Sequence, residues 1–238
     1  VKIALFSDTH GNALALEAVL RHAEAIGVQQ YLNLGDMVGY YTQPREVVEL
    51  ARALPGAAVQ GNHERFLARV LAGDLPLGDL TARYGEGHRI ALDELGAEDL
   101  DWLLRLPPER VVELDGVTIR MCHGAPGEPD RYVYPDTSAE DLAALCDDAC
   151  DYVVMGHTHY PYTFTHGGCT LLNVGSVGQS KDVGGLATWT VLDTRNRTTV
   201  LMRTPYDLDR LAEEVRRVPN SNEGYLLSVV SRHRQDGR

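Results

Sequence analysis

Cations are scarce in this chain. Its 238 residues include 22 lysines and arginines against 34 aspartates and glutamates, a formal net charge of −12. General nucleic-acid binders displace counterions with a basic face. The acidic balance argues against that class, yet it leaves room for a small phosphate ligand held by a local positive centre. No stretch approaches the ~18 consecutive apolar residues of a membrane-spanning helix. The opening VKIALFSDTHGN reaches the polar pair Ser7-Asp8 after one short apolar run. That run is too brief for a secretory leader's core and unlike a transit peptide, so a cytoplasmic protein is expected. The cysteines, Cys122, Cys146, Cys150 and Cys169, fit no Cys-x-x-Cys pattern. Cys146 and Cys150 stand four apart in an expected helix and read as core or surface thiols, with no disulfides expected. No internal repeat or low-complexity tract is present.

What is there is ordinary for a globular protein: 44% hydrophobic and 24% charged residues. The length can bury a proper core, and a single domain over 1–238 is expected. KIALF (Lys2 to Phe6) reads as a buried first strand. NALALEAVLRHAEAIG reads as a helix with Asn12 as N-cap and Gly27 as its stop. QYLNLGD is strand two, PREVVELARAL a helix with Pro44 in its first turn, and AAVQGNHE a third strand. Such a β-α-β-α-β opening implies a mostly parallel sheet with right-handed crossovers. Residues 64–105 read as a helical insert and candidate lid. RVVEL and VTIRMC then flank Asp115-Gly116, a hairpin signal. SAEDLAALCDDA reads as a helix capped by Ser138, and YVVMG, YTFTH, CTLLNVG, LATWTVLD and TTVLMRT as strands. From Tyr206 the tail reads as helix broken at VPNSNEG. Two packed sheets with helices outside follow from this order.

Chemistry collects where the strands end. Asp8-Thr9-His10 closes the first, Gly35-Asp36 the second and Gly61-Asn62-His63-Glu64 the third. His123-Gly124 and Gly156-His157-Thr158-His159 close two later ones. In open α/β sheets, ligands bind at the carboxyl ends of strands. Nine histidines in this length give about a third of a His-x-His pair by chance, so that pair alone carries little; five such strand ends together carry much more. Continued strand geometry would put His157 and His159 on one side, with Gly156 supplying backbone freedom. Imidazole and carboxylate without thiolate suit manganese, iron, zinc or nickel. Cys122 adjoins His123 but should point to the opposite face.

These motifs, in this order from residue 8 to 159, resemble the calcineurin-like metallophosphoesterase superfamily. NVGSVGQ at 173–179 also resembles its compact prokaryotic phosphodiesterase branch. The resemblance implies a four-layer α/β/β/α sandwich of two mixed sheets with flanking helices. It implies two divalent transition-metal ions, manganese first and iron, nickel or zinc as alternatives. One would be held by Asp8, His10, Asp36 and His159, the other by Asp36, Asn62, His123 and His157, with Asp36 as bridge. His63 would be the outer-sphere catalytic histidine beside the leaving group. Two departures stand out. Gly39 and Tyr40 occupy positions where the family often has Asp-Arg, so the usual aspartate partner of His63 is missing. Val174 replaces a frequent proline.

The implied reaction is hydrolysis of small phosphodiesters or nucleotides by a metal-bridging hydroxide. Dinucleoside polyphosphate hydrolysis and phosphomonoester hydrolysis are alternatives. A non-catalytic scaffold like the retromer subunit of this fold, or a metal sensor, is a rival of another class. Two divalent ions with Asp8 and Asp36 leave a first shell of about +2 inside the acidic chain, enough to attract an anionic ester. For substrate contacts, Asn12 either faces the phosphate or caps its helix. Tyr40 and Tyr41 either stack a nucleobase or pack, and packing is favoured. Among Arg65, Arg69, Arg83, His88 and Arg89 of the insert, Arg65 is chosen because it follows the histidine motif. His22, His166 and His233 are expected to be ordinary surface residues. The partner class is therefore a small phosphate ester or nucleotide, with neither general nucleic-acid nor membrane binding.

Overall fold

A computed structural model of the chain describes residues 1–219 and 222–233. Asn220 and Ser221, inside the expected break VPNSNEG, lie outside the described residues. Strands β1 (Lys2–Phe6), β2 (Gln30–Asn33) and β3 (Gly56–Ala58) alternate with helices α1 (Ala13–Ala25) and α2 (Pro44–Ala53). Four helices follow: α3 (Asn62–Leu71), α4 (Leu77–Tyr84), α5 (Gly87–Glu94) and α6 (Ala97–Leu104). Then come β4 (Glu109–Leu114), β5 (Val117–Cys122), α7 (Ala139–Ala143), β6 (Tyr152–Met155), β7 (Tyr162–His166) and β8 (Cys169–Asn173). The chain closes with β9 (Leu186–Asp193), β10 (Thr198–Pro205), α8 (Leu208–Arg217) and α9 (Glu223–Ser231).

One sheet runs β10-β9-β1-β2-β3 and the other β4-β5-β6-β8-β7. In the first, β1 is parallel to β2 and antiparallel to β9. In the second, β6 is parallel to both β5 and β8, while β4–β5 and β7–β8 are antiparallel. Both sheets are thus mixed. Their alternation explains the continuous apolar runs. Ile3 and Leu5 of β1 face the second sheet, packing with Leu32, Ile119, Val154 and Leu172. Ala4 and Phe6 face the opposite way, against Leu16, Val19 and Val47 of the helical layer. Truncating such a buried leucine to alanine removes about 2–5 kcal/mol of stability.

The outer layers are unequal. Helices α1, α2, α3, α5 and α6 contribute to the core over the first sheet. Over the second sheet the cover is α7 with its flanking loops, where Leu142 and Leu145 pack on Cys122, Val153 and Met155. The helix expected to run through Cys146 stops at Ala143. Beyond it the side chain of Asp147 accepts the Ala149 N–H at 3.0 Å, a local bond that competes with helix continuation. Cys122 points into this outer core, away from His123, as its strand position requires. At the expected hairpin, Asp115 and Gly116 take φ of 54° and 74°, the left-handed pair of a type I′ turn. Among the described residues no helix is long and apolar enough to cross a membrane.

Candidate metal centre

The loops after β1 and β2 are zipped together by backbone hydrogen bonds. The Asp8 N–H donates to the Gly35 carbonyl at 3.0 Å and the His10 N–H to the Asp36 carbonyl at 2.9 Å. The loop after β8 joins them: Ser176 Oγ donates to the Asp8 carbonyl at 2.8 Å and the Gly178 N–H to the same oxygen at 2.9 Å. The NVGSVGQ segment therefore works as a latch behind Asp8. The Asn173 amide does the same for the histidine loop, donating to the Gly156 carbonyl at 2.6 Å.

All seven candidate ligands meet at this junction. His159 Nε2 stands 3.1 Å from Asp8 Oδ1. His10 Nε2 lies 3.6 Å from Asp8 Oδ1 and 3.9 Å from Asp36 Oδ2. On the other side His123 Nε2 is 3.2 Å from Asp36 Oδ2 and 3.1 Å from Asn62 Oδ1. Asp8, His10 and His159 offer ligand atoms within 4.8 Å of one another, as do Asp36, His123 and His157. His63 joins His10 and Asp36 in a third such group. All these residues are buried.

His157 and His159 converge by a route other than strand alternation. The ladder of β6 ends at Met155, and both histidines turn into the left-handed region, with φ of 67° and 64°. Asp8, His10 and Asp36 do the same at 55°, 51° and 53°. Such backbone costs non-glycine residues roughly 1–2 kcal/mol each, and its clustering at one point marks a functional site. Gly156 is required for space instead of for φ: a Cβ there would come within 2.1 Å of Ser7 Oγ and 2.6 Å of Asp8 Oδ2.

The hydrogen-bond pattern fits a cation. Nδ1 of His10, His123 and His159 meets the carbonyls of Val38, Leu34 and Gln179 at 3.2, 2.7 and 2.9 Å. A carbonyl only accepts, so each Nδ1 holds a proton, and Nε2 of His10 and His159 is left as an acceptor when those rings are neutral. His157 is reversed, its Nε2 meeting the Asp130 carbonyl at 3.3 Å, which frees Nδ1. The consequence is acceptor against acceptor: His10 and His159 face each other Nε2 to Nε2 at 3.1 Å. Asp8 Oδ1 is buried with no donor. Such contacts repel unless positive charge lies among them. Backbone-anchored imidazoles beside carboxylates are also how metal ligands are oriented. The protons show the same pull. Burial works against charge on His123, but Asp36 and Asp8 hold its pKa up at about 9. Burial would likewise raise the carboxyls of Asp8 and Asp36. The histidines around them, His159 and His123 first for Asp8 and His123 and His63 for Asp36, keep both well below the usual range. Burial lowers His157 and His159 to about 4.

Glu64 is a functional residue to which the sequence assigned no role. Its buried carboxylate accepts the N–H groups of Met37 and Val38 on Oε1 at 2.8 and 3.3 Å, and those of Asp36 and Gly61 on Oε2 at 2.8 Å each. It thereby shapes the loop that presents Asp36. Glu64→Ala should leave these donors buried and unpaired, costing about 3–5 kcal/mol. For a chain of this size the thermal midpoint should drop by roughly 6–20 °C, read by calorimetry. Glu64→Gln should not restore it, because an amide NH₂ would face two N–H donors. A midpoint within about 2 °C of the parent would contradict this clamp.

A cavity of about 230 Å³ opens on Asp36, Asn62, His63, His157 and His159. Tyr40 lines it, packed on His10 and His63 with ring centroids 4.8 and 5.1 Å apart. Two other substrate candidates point elsewhere. Asn12 is fully buried; its Oδ1 accepts the Ala15 N–H at 3.1 Å and its Nδ2 donates to the Gly178 carbonyl at 3.3 Å. It is a helix cap. Arg65 pairs with Asp130 and donates to the Pro129 carbonyl at 3.3 Å, tying down the loop whose Asp130 carbonyl holds His157. The cations that do line the cavity are Arg83 and Lys181. Arg83 sits in the insert, whereas Lys181 lies two residues after NVGSVGQ, at a position to which the sequence reading gives no role.

Comparison with known proteins gives a consistent result. The calcineurin-like phosphoesterase superfamily domain matches residues 1–197. The uncharacterized protein MJ0912 of Methanocaldococcus jannaschii is 30% identical over 237 residues, spanning 90% of this chain and 91% of that protein. A metallophosphoesterase from Sphaerobacter thermophilus is 28% identical with a TM-score of 0.77, covering 97% of this chain and 98% of that one. The hypothetical protein PH1004 of Pyrococcus horikoshii shares the fold at a TM-score of 0.82 and 20% identity, with the same 97% and 98% coverage.

Proposed function

This chain belongs to the calcineurin-like phosphoesterase superfamily, and from that premise we propose that it is a two-metal phosphoesterase acting on small phosphodiesters or nucleotides. The observation that carries the reading is the acceptor-only cluster, in which His10 Nε2 and His159 Nε2 face each other at 3.1 Å beside two buried carboxylates. Asp8, His10, Asp36 and His159 would hold one divalent ion and Asp36, Asn62, His123 and His157 the other, manganese being the first choice. Two such ions supply charge against the phosphoryl transition state and a nucleophilic water at neutral pH.

The chain's own residues do the rest. Asp36 lies between the two sets and would belong to both. Its Oδ1 also accepts the backbone N–H of His63 at 2.8 Å, which couples the ion site to the start of α3. The His63 ring faces the cavity with Nε2 4.0 Å from Asp36 Oδ2. Burial holds its pKa well below the ordinary value. A neutral imidazole suits an N–H donor that steadies a phosphoryl oxygen better than an acid that protonates the leaving group.

The test is a panel of bis-p-nitrophenyl phosphate, p-nitrophenyl phosphate, 2′,3′-cyclic AMP and diadenosine tetraphosphate with Mn²⁺, Ni²⁺, Mg²⁺ or chelator. Chelator-sensitive hydrolysis, restored by Mn²⁺, is expected, with the diester cleaved. Stoichiometric metal binding without turnover of any of the four would sink the enzymatic reading in favour of a sensor or scaffold.

A further inference from the structure

The cavity is aromatic beyond what phosphoryl chemistry needs. Four of the chain's 11 tyrosines line it: Tyr40, Tyr84, Tyr132 and Tyr225. They arrive from four separate places, namely the loop after β2, the end of α4, the loop after β5 and helix α9. Tyr40 is occupied as a packing residue under His63. The others form the wall around it. Tyr225 lies nearly parallel to Tyr40 at 5.9 Å, and Tyr84 meets Tyr40 edge-on at 5.3 Å. Tyr132 stacks over the His157 ring at 3.8 Å while remaining 51% exposed. Parallel to it at 5.9 Å, the half-exposed ring of Tyr134 continues the aromatic surface out of the cavity. Tyr225 belongs to a helix beyond the family-matched residues 1–197, whereas Tyr40, Tyr84 and Tyr132 lie within them, so the wall joins the matched domain to the C-terminal helix.

The charge is also selective. Arg83 and Lys181 line the same cavity. Arg83 lies 5.0 Å from the Tyr84 ring centroid. Lys181 is largely withdrawn from water, and that burial lowers its pKa, Asp8 acting in the opposite direction. In a chain of net charge −12, two cations turned to one cavity mark an anionic occupant. Neither belongs to the ligand set above, so both remain for phosphate oxygens that the ion centre does not take. The volume limits the ligand. About 230 Å³ falls below the ~300–1,000 Å³ of drug-sized pockets, enough for a phosphoryl group and one ring system with the remainder toward Tyr132.

Resting on the phosphoesterase reading, we infer that Tyr84, Tyr132 and Tyr225 with Arg83 and Lys181 form a specificity subsite for mononucleotide-sized esters, the base lying against the tyrosines. Aromatic–base contacts contribute about 1–3 kcal/mol per base, which converts to roughly 5- to 150-fold in affinity. The test uses phosphonate analogues of AMP and ribose 5-phosphate in which methylene replaces the bridging oxygen, so that nothing turns over. They are titrated calorimetrically into the Mn²⁺-supplied protein. The adenosine compound should bind at least about tenfold tighter, since the two ligands differ only by the base. In Tyr132→Ala/Tyr225→Ala that advantage should shrink to about threefold or less with ribose-compound affinity unchanged, and the Phe/Phe variant should restore it. Equal affinities in the parent protein, or an equal loss for both ligands in the alanine variant, would overturn the subsite. Selective binding of the adenosine compound without metal-dependent turnover of any of the four panel esters would count against the phosphoesterase reading alone.

Discussion

Asp36→Asn should reduce phosphoester hydrolysis by about 10³-fold or more, which corresponds to at least ~4 kcal/mol of transition-state stabilisation. It should also lower bound Mn²⁺ from about two per chain to at most one, measured by atomic emission after desalting. The size follows from position. Asp36 Oδ2 is within 3.2 Å of His123 Nε2, 3.9 Å of His10 Nε2 and 4.0 Å of His63 Nε2, so one carboxylate faces both candidate ion positions. Asparagine keeps the shape and an oxygen for the His63 N–H but removes the charge. The metal-free protein gives a control on folding. There Asp36 is buried beside Asp8, with Glu64 behind the loop, and its charge contributes to raising the Glu64 carboxyl after burial itself. Burial opposes the Asp36 charge, but His123 and His63 hold its carboxyl well below the ordinary range, so the charge stabilises the metal-free fold at neutral pH. Asp36→Asn should lower the metal-free thermal midpoint, and the increase on adding Mn²⁺ should shrink as well. Unchanged metal content with full activity would remove Asp36 from the bridging role.

The sequence exposed this centre because its parts lie at strand ends. A short apolar run broken by Asp-x-His or Gly-Asp can be read without knowing what it packs against, and so can an Asp-Gly hairpin or an asparagine before a helical period. The layers followed from the same runs. What stayed hidden depends on contacts between distant segments. Glu64 reads as an acidic residue in the first turn of a helix; its work is done on N–H groups at 36 to 38, which only the folded loop brings to it. Tyr84, Tyr132, Lys181 and Tyr225 carry no local signature and are joined solely by the cavity. Proximity to His63 in sequence favours Arg65, but helix positions two apart point about 200° apart, and Arg65 turns to Asp130 instead. His157 and His159 both line the cavity, but strand alternation does not bring them there, since left-handed backbone replaces the strand.

His63→Ala should lower kcat by about 10²- to 10³-fold with both metals retained and KM little changed. The missing aspartate at Gly39 makes the case sharper. His63 Nδ1 has no hydrogen-bond partner, so a carboxylate does not orient this ring. Instead it is slotted between two others, Tyr40 at 5.1 Å and 29° and His88 at 4.8 Å and 14°. The slot is tight enough to exclude a side chain at Gly39, where a Cβ would lie 2.1 Å from His63 Nδ1. His88 is itself fully buried with neither ring nitrogen bonded, an unfavourable placement whose visible return is that stack. Removing it with His88→Ala should therefore cost about tenfold in kcat, less than deleting His63, because the donor stays but is free to turn. The lowered pKa sets the pH behaviour: burial holds His63 well below its ordinary pKa of about 6.5, so the ring is neutral from about pH 6.5 upward and raising pH from about 6.5 to 8 should cause no fall in kcat attributable to it. A His63→Ala enzyme with full turnover would exclude the residue from the reaction. Loss of one Mn²⁺ in that variant would assign it to the ion-binding set, where its approach to His10 and Asp36 within 4.8 Å already makes it the eighth candidate.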